Sequence, residues 1–294
     1  MHKGMLYVLI TAMVSGVSIF LNSFAVKGFD SSVFTFAKNA AVAVLLLCVI
    51  IAVKDYKNLA QLTRKNWIQL VAIGLIGGSI PFLLFFKGLQ MTAGTTSAFI
   101  HKTIFIYISI FAFLYLKERL SLKYFLGAAM LLAGTYLMIM PDFTFSGGHF
   151  LVLAATVFWA AENTYAKHVL KELTGNVVGF GRMFFGSLFM LLFLLATGKA
   201  GMIFSMSMPQ YLWIAMTSML LLLYVFTYYN GLMTLPVSVA ACILSLGAPI
   251  TAVLSWVFLG QGIEILSWIG MALTVSGTAI AAWHGLRVLP HGRD

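Results

Sequence analysis

The sequence predicts an all-α membrane protein with ten transmembrane helices, arranged as two inverted repeats of five. Three observations support this fold class: the composition, ten long apolar runs, and a pattern that occurs once in each half. The 294 residues are 61% hydrophobic and only 9% charged. A soluble domain of this size has too little interior to bury so much apolar surface. The mean hydropathy of +1.00 is therefore typical of a chain whose solvent is lipid.

The ten apolar runs account for nearly the whole chain, so we expect no separate soluble domain. About 20 residues of helix cross a hydrocarbon core roughly 30 Å thick. The first run is too long for a cleaved signal peptide and lacks a cleavage site followed by a polar segment. The runs cover residues 4–26, 33–53, 67–89, 94–115, 121–140, 148–170, 177–196, 208–232, 236–259 and 265–285.

The internal repeat begins with Gly-Leu at Gly88 and again at Gly231, 143 residues later. Two glycines in the last run of each half also fall at equivalent positions: Gly127 and Gly134, Gly270 and Gly277. Five spans in each half is an odd number, which would place the second half upside down relative to the first. We therefore predict repeats at 1–143 and 144–294. Many secondary transporters are built from two such halves, with the substrate site between them.

The distribution of basic residues predicts the orientation. Of the 18 Lys and Arg, four lie deep inside the runs, twelve lie in the loops and run ends on one side, and only Lys27 and Lys199 lie in loops on the other. The positive-inside rule then places both termini in the cytoplasm of a multi-pass protein of the cell (inner) membrane. The flanking basic residues favour anionic lipid headgroups. No stacking aromatics accompany a basic stripe, so we do not expect nucleic-acid binding.

Pro81 in the third run and Pro249 in the ninth predict interrupted helices. Proline removes a backbone donor and kinks a helix, and discontinuous helices often mark the binding region of a transporter. We therefore predict hinges at both prolines, although the neighbouring glycines are also compatible with ordinary close packing. Cys48 and Cys242 lie inside runs, which indicates small apolar residues and not a disulfide or a metal site.

Several motifs near the ends of the halves belong together. The first half contains Leu116-Lys117-Glu118-Arg119 after its fourth run, and the second half contains Leu259-Gly260-Gln261 at the matching place. A Trp-Ala-Ala-Glu-Asn stretch lies inside the sixth run, at residues 159–163. With the Gly-Leu pairs and spaced glycines, these features resemble the EamA-type ten-helix members of the drug/metabolite transporter superfamily across essentially the whole chain.

The resemblance implies two EamA-like repeats and export or exchange of small metabolites by alternating access. Lys38 and Arg182 fall near the arginine that this family often shows early in its second and seventh helices. Three positions depart from the family pattern: Ile106 replaces a proline, Gln261 replaces a glutamate, and His101-Lys102 lies where the family is apolar or small. The family's substrates differ widely, so the resemblance does not name one.

Ionisable side chains inside the runs are the main candidates for a site, because charge at membrane depth is costly and usually faces a cavity or a partner. At about 1.5 Å per residue, four of them lie roughly 5–12 Å below the outer surface and the other two roughly 21 Å below it. The outer group consists of Lys38, Lys87, His101 and Lys102, and the deep pair consists of Glu162 and Arg182.

Each group has two interpretations. Glu162 and Arg182 lie on consecutive antiparallel helices and can pair, either as a structural ion pair or as a gate in which protonated Glu162 frees Arg182 for an anion. Lys102 can bind a carboxylate or phosphate beside His101 as a hydrogen-bonding or proton-carrying group, or it can extend towards the interface as Lys38 and Lys87 can. A net positive path favours substrates with an anionic group, including zwitterionic amino acids.

Aromatic and amide side chains complete the predicted site. Trp159 and Tyr228 are expected to line the path, with Asn163 and Asn230 as hydrogen-bonding groups, although lipid contact is the alternative for the aromatics. No catalytic, metal-ligand or phosphate-loop motif is present, so we predict no enzymatic activity, cofactor or metal.

We therefore predict a secondary transporter, a monomer or homodimer, that exports or exchanges a small polar or amphipathic metabolite. The alternatives are a flippase for a lipid-linked substrate and a non-transporting membrane scaffold.

Overall fold

The structure is a computed structural model that describes residues 2–25, 28–92, 94–143 and 145–287. These residues form α-helices joined by short loops, and none of them lies in a β-strand. The predicted all-α class is therefore confirmed. Lys27 and Arg293, which contributed to the predicted orientation, lie outside the described residues.

The helices of each half follow one another closely along the chain. The first half contains α1 (His2–Ala25), α2 (Ser31–Ala52), α3 (Tyr56–Ala60), α4 (Arg64–Gly78), α5 (Ile80–Gln90), α6 (Gly94–Lys102), α7 (Ile104–Tyr115) and α8 (Leu122–Ile139). The second half contains α9 (Gly147–Val169), α10 (Gly175–Ala196), a 3-10 turn (Ala200–Ile203), α11 (Met208–Leu232), α12 (Val237–Leu244), α13 (Gly247–Leu259) and α14 (Ile265–Arg287).

Nine helical stretches within the described chain are long and apolar enough to cross a membrane. The pairs α4–α5, α6–α7 and α12–α13 each form one such stretch. Helix α9 is long enough at 23 residues, but polar side chains such as Glu162 and Asn163 make it less apolar than the others. A multi-pass membrane protein is thus confirmed, while the count of ten spans and the inversion that follows from it stay predictions.

Three of the stretches are interrupted near their middle. Ser79 separates α4 from α5 just before Pro81, and Ser245 and Leu246 separate α12 from α13, whose first turn contains Pro249. Both prolines thus lie at broken helices, as predicted. The third break, at Thr103 between α6 and α7, has no proline beside it. Thr103 is the repeat equivalent of Leu246, so the break belongs to both halves and does not depend on proline.

The packing of the helices repeats between the halves. Helix α1 packs against α11, and the equivalent contact joins α9 to α4 and α5. Helix α1 also packs on α12 and α13, as α9 packs on α6 and α7. Two contacts, α2 with α10 and α8 with α14, join equivalent elements to each other. Every one of these contacts has its counterpart when the halves are exchanged, which is what two related repeats require.

The glycines that the two repeats share lie where helices approach most closely. A Cβ atom on Gly134 would lie 2.5 Å from the carbonyl oxygen of Gly270, and one on Gly127 would lie 2.6 Å from that of Gly277. These four residues form the seam between α8 and α14. A Cβ on Gly88 would likewise lie 2.6 Å from a backbone oxygen of the facing helix. The repeated glycines therefore serve close packing of helices in lipid.

Adding a methyl group to this seam is expected to destabilise the fold. Gly134→Ala places carbon against backbone atoms that move only if α8 and α14 separate, so we expect a loss of about 1–3 kcal/mol. Gly262 has no atom within 4 Å of the added Cβ, which makes Gly262→Ala the matched control. Thermal unfolding in detergent micelles measures the difference. Equal unfolding temperatures for the two variants would contradict close packing at this seam.

Candidate functional site

The break between α4 and α5 exposes backbone carbonyl groups inside the bundle. Pro81 has no N–H, so the carbonyl of Gly77, four residues earlier, loses its helical donor. Two side chains from the second half replace that donor. Trp159 Nε1 donates to Gly77 O at 3.1 Å, and Arg182 Nη2 donates to it at 3.2 Å. Asn39 Nδ2 donates to the carbonyl of Gly78 at 3.0 Å. The broken helix thus draws α9 and α10 together.

Glu162 and Arg182 form the ion pair that the sequence predicts. Glu162 Oε2 lies 3.9 Å from Arg182 Nη2, which is within ion-pair range but too long for a hydrogen bond. The Tyr229 hydroxyl donates a hydrogen bond to Glu162 Oε1 at 2.6 Å. The Glu162 side chain has no accessible surface, whereas 10% of the Arg182 side chain is accessible. Oε2 of Glu162 and Nε of Arg182 are buried without a hydrogen-bond partner. The pair is therefore formed but only partly satisfied.

Helix α9 places its polar residues on one face. Trp159, Glu162 and Asn163 have the spacing i, i+3 and i+4, which puts them side by side on a helix. Asn163 Nδ2 donates to the carbonyl of Trp159 at 2.6 Å, and the Tyr228 hydroxyl donates to Asn163 Oδ1. The rings of Tyr224 and Tyr228 stack with centroids 5.8 Å apart. We call Gly77, Trp159, Glu162, Asn163, Arg182, Tyr228 and Tyr229 the central cluster.

Aromatic rings extend the central cluster towards the break at Thr103. The Trp159 ring lies 5.1 Å from those of Phe82 and His101 and 5.4 Å from that of Phe85, between centroids. The Phe85 and His101 rings are 5.0 Å apart. His101 Nδ1 is buried and has no hydrogen-bond partner. These four residues, which we call the aromatic group, add a third unsatisfied polar atom, and it lies beside Trp159 of the central cluster.

The remaining predicted site residues lie apart from the central cluster. Lys102 is half-buried at the end of α6 and makes no hydrogen bond or ion pair with any described residue. Lys38 donates to Asn22 Oδ1 at 2.9 Å and lies 4.8 Å from the centroid of the Phe34 ring. Lys87 is exposed near the end of α5. The structure therefore brings His101, Trp159, Glu162, Asn163, Arg182 and Tyr228 together but not Lys38, Lys87, Lys102 or Asn230.

Asn230 belongs to a separate polar network at the predicted cytoplasmic end. It donates to Asn176 Oδ1 at 2.9 Å, and Asn176 Nδ2 donates to Asp55 Oδ2 at 3.1 Å. The hydroxyl of Thr174 donates to the same Asp55 oxygen at 2.7 Å. Asp55 precedes α3 in the first half, so this network fastens the two halves together at that end.

A further contact between the halves lies at the predicted outer end. Lys199 Nζ and Asp30 Oδ2 are 2.6 Å apart. Partial burial raises the pKa of the Asp30 carboxyl, but hydrogen bonds from Lys199 and from the backbone N–H groups of Ser32 and Val33 lower that pKa by more. The pKa of Asp30 therefore lies below its usual value, and the pair stays ionised at neutral pH.

Glu118 explains the Leu-x-Glu-Arg motif. Its carboxylate accepts hydrogen bonds from Val237 N at 2.8 Å and from Ser238 N at 3.3 Å, and the Ser238 hydroxyl adds a third. An anion is favourable at the N-terminus of a helix, here α12 of the other half. The motif is thus a helix cap between the halves. Gln261, its counterpart in the second repeat, is exposed.

Two backbone carbonyls at the broken helix, and the Asn39 side chain that binds one of them, were not among the predicted site residues. The Gly77 carbonyl accepts both the indole and the guanidinium, and Asn39 holds the next carbonyl. Pro81 was the available signal, because a proline identifies the carbonyl four residues earlier as lacking its donor. No comparable signal identifies Asn39, since an amide inside a span binds neighbours that only the packing reveals.

Comparison with known proteins gives a consistent result. The EamA-like transporter family model matches residues 2–140 and 146–283. An uncharacterized transporter of Methanothermobacter thermautotrophicus is 23% identical over 236 residues, which cover 77% of this chain and 67% of that protein. The uncharacterized transporter YyaM of Bacillus subtilis is 24% identical over 286 residues and 92% of each chain. A solved crystal structure with 16% identity superposes with a TM-score of 0.79 over 98% of this chain and 99% of the other, which supports the fold alone.

Proposed function

Because this chain belongs to the EamA-like transporter family, we propose that it is a secondary transporter of small amphipathic metabolites that carry an anionic group. It exports or exchanges them by alternating access through a path beside the central cluster. Amino acids and organic acids are the proposed classes. The single observation that carries this proposal is the partly satisfied, buried Glu162–Arg182 pair at the broken helix.

Arg182 has the properties of an anion-binding group. Its Nη2 atom is held by Gly77, while its Nε atom is buried without a partner. A guanidinium has five N–H donors in a planar fork that suits a carboxylate. The adjacent aromatic group provides apolar surface for the remainder of an amphipathic molecule. Lys102 is a second cation and, unlike Arg182, has no partner among the described residues. We propose that it attracts the same anionic group from the outer side.

Alternating access requires the contacts at the two ends to open in turn. In this structure the Asp55 network and the Asp30–Lys199 pair hold both ends of the helices together. Opening the outer end separates the Asp30–Lys199 pair, and opening the cytoplasmic end separates the Asp55 network. We propose the breaks beside Pro81 and Pro249 as the hinges for these movements.

A flippase for lipid-linked substrates needs a lateral opening that reaches the polar centre. A partly open crevice between α7 and α8 is lined almost entirely by apolar side chains such as Phe105, Ile110, Phe113 and Phe125. Its lining includes no residue of the central cluster. This crevice therefore gives the headgroup of a lipid-linked substrate no contact with the polar centre. A scaffold without transport would have no use for unsatisfied charges at this depth.

Removing the helix-breaking proline is expected to impair transport. Pro81→Ala supplies an N–H that can bond to the Gly77 carbonyl within the helix, in competition with Trp159 and Arg182. We therefore expect a more stable α4–α5 segment but a flux reduced by about tenfold, which corresponds to roughly 1.4 kcal/mol. Pro209→Ala, in the first turn of α11, is the matched control. Unchanged flux in Pro81→Ala would contradict a hinge at this position.

Flux measurements on purified protein in liposomes test the proposed function. The panel contains labelled amino acids, organic acids and cationic drugs, each measured with and without a pH gradient. Saturable flux of an amino acid or an organic acid supports the proposal. Flux restricted to cations contradicts the anion site, and the absence of flux for every compound favours the scaffold.

A further inference from the structure

We propose that the Glu162–Arg182 pair makes the transported load, which is the substrate together with any proton that Glu162 binds, electrically neutral. An anionic substrate then travels with a proton on Glu162, while a zwitterion travels without one. This inference rests on the proposed function and adds the coupling ion and the charge state of the substrate. It applies to the same site and follows from the charge balance of the central cluster.

The first step concerns the charges that surround Glu162. Among the described residues, the only charged side chain near its carboxylate is Arg182 of α10. Helix α11 adds the titratable hydroxyls of Tyr224, Tyr228 and Tyr229, and α6 adds the His101 ring against Trp159. Two further cations, Lys102 of α6 and Lys38 of α2, form no hydrogen bond or ion pair with the central cluster, and Lys38 donates to Asn22 instead. Helices α7 and α12 contain no Asp, Glu, Lys or Arg. The charges of α4 and α5 lie far from Gly77, because Arg64 and Lys65 begin α4 and Lys87 lies near the end of α5. The central cluster therefore holds one negative charge, on Glu162, and one positive charge, on Arg182, and is neutral.

The second step concerns what an entering carboxylate does to this balance. A second carboxylate against the one guanidinium gives the buried site a net negative charge, which an apolar medium strongly disfavours. A proton on Glu162 restores neutrality. Oε2 is the atom available to receive it, because Oε1 already accepts the Tyr229 hydroxyl. The new O–H then donates to the substrate carboxylate, and the proton leaves when the site opens on the other side.

The third step distinguishes zwitterions from anions. An amino acid brings its own ammonium group, which can pair with the ionised Glu162 while its carboxylate binds Arg182. The site and its load stay neutral without a proton. Two compounds that differ only in the ammonium group are thus expected to differ in proton movement. L-leucine and N-acetyl-L-leucine serve as the pair, because acetylation replaces the ammonium group by a neutral amide and leaves the carboxylate and the apolar side chain, which suits the aromatic group, unchanged.

The test uses the full-length protein in liposomes with a pH-sensitive dye inside. Labelled L-leucine and N-acetyl-L-leucine are supplied outside at neutral pH, and protein-free liposomes correct for passive entry. We expect about one proton to enter with each N-acetyl-L-leucine, because one protonation restores neutrality. We expect no proton to enter with L-leucine.

A variant assigns the proton to Glu162. Glu162→Gln mimics the protonated form, so N-acetyl-L-leucine should enter without a proton, and L-leucine flux should fall by about tenfold as its ammonium loses a charged partner. Glu264→Gln makes the same chemical change at an exposed loop position and should leave both fluxes and the proton count unchanged. Should Glu162→Gln fail to fold, the proton counts of the wild-type protein still decide the question.

The outcomes separate the two proposals. N-acetyl-L-leucine flux without proton entry, or equal proton entry with both compounds, overturns the neutral-load inference and leaves transport standing. Persistent proton entry in a folded Glu162→Gln variant overturns the assignment to Glu162. Absence of flux for both compounds overturns the proposed amino-acid-like substrate class and this inference with it.

Discussion

Arg182→Leu is expected to abolish transport and to destabilise the protein strongly. The substitution removes the proposed anion-binding group and leaves the Glu162 carboxylate, which has no accessible surface, without its cation. Breaking a buried ion pair from one side costs about 3–5 kcal/mol. Thermal unfolding in detergent and flux per folded molecule measure the two effects separately.

A double substitution separates the structural part of this effect from the functional part. Glu162→Leu together with Arg182→Leu removes both charges, and replacing a buried pair by apolar side chains is often neutral for stability. We therefore expect the double variant to regain most of the stability that Arg182→Leu loses, but no transport. Wild-type flux in either variant would contradict the proposed site.

The Asp30–Lys199 pair is a partly exposed ion pair and therefore serves as the control for the effect of burial on the Glu162–Arg182 pair. Lys199 is 42% accessible and Asp30 is 18% accessible, so solvent screens their interaction. Lys199→Leu is expected to cost only about 0–1 kcal/mol. Comparable losses for Lys199→Leu and Arg182→Leu would mean that the Glu162–Arg182 pair is no more important for stability than a surface contact.

The sequence was sufficient to predict the Glu162–Arg182 pair, because charged side chains are costly inside a membrane span and therefore rare there. An acid and a base at similar depth on consecutive antiparallel helices have few other partners available. Glu162 is the only acid inside the predicted runs, and the structure places it 3.9 Å from Arg182. The same reasoning was less effective near the surface. Lys38 binds Asn22, and nothing in the spacing of these two residues indicates that contact.

The repeat also predicted more about packing than about the helix breaks. Shared glycines such as Gly134 and Gly270 were recognisable because a missing side chain at equivalent positions implies close helix contact. The break at Thr103 was not predictable from proline content, since Ile106 stands where the second repeat has Pro249. Only comparison of the two halves in three dimensions shows that both repeats interrupt this helix.

Gly77→Ala is the second substitution for which we expect a large effect. An added Cβ would lie 2.3 Å from Glu162 Cγ and 2.7 Å from its Cδ, in a side chain that has no free space around it. Glu162 must then move away from Tyr229 and Arg182. We expect a stability loss of about 1–3 kcal/mol, as is typical of overpacking, and flux reduced at least as much as in Pro81→Ala. Unfolding temperature and flux per folded molecule are the measurements.

Two controls show whether the effect acts through Glu162. Gly201→Ala adds a methyl group where no atom lies within 4 Å, so it should behave as the wild type. In a Glu162→Ala background the atoms that clash with the new Cβ are absent, and Gly77→Ala should then cost almost no further stability. Additive losses in that background would instead mean that position 77 matters only for its own helix. If Gly77→Ala causes no further loss of stability in the Glu162→Ala background, then the absence of a side chain at Gly77 is what allows Glu162 to reach Arg182.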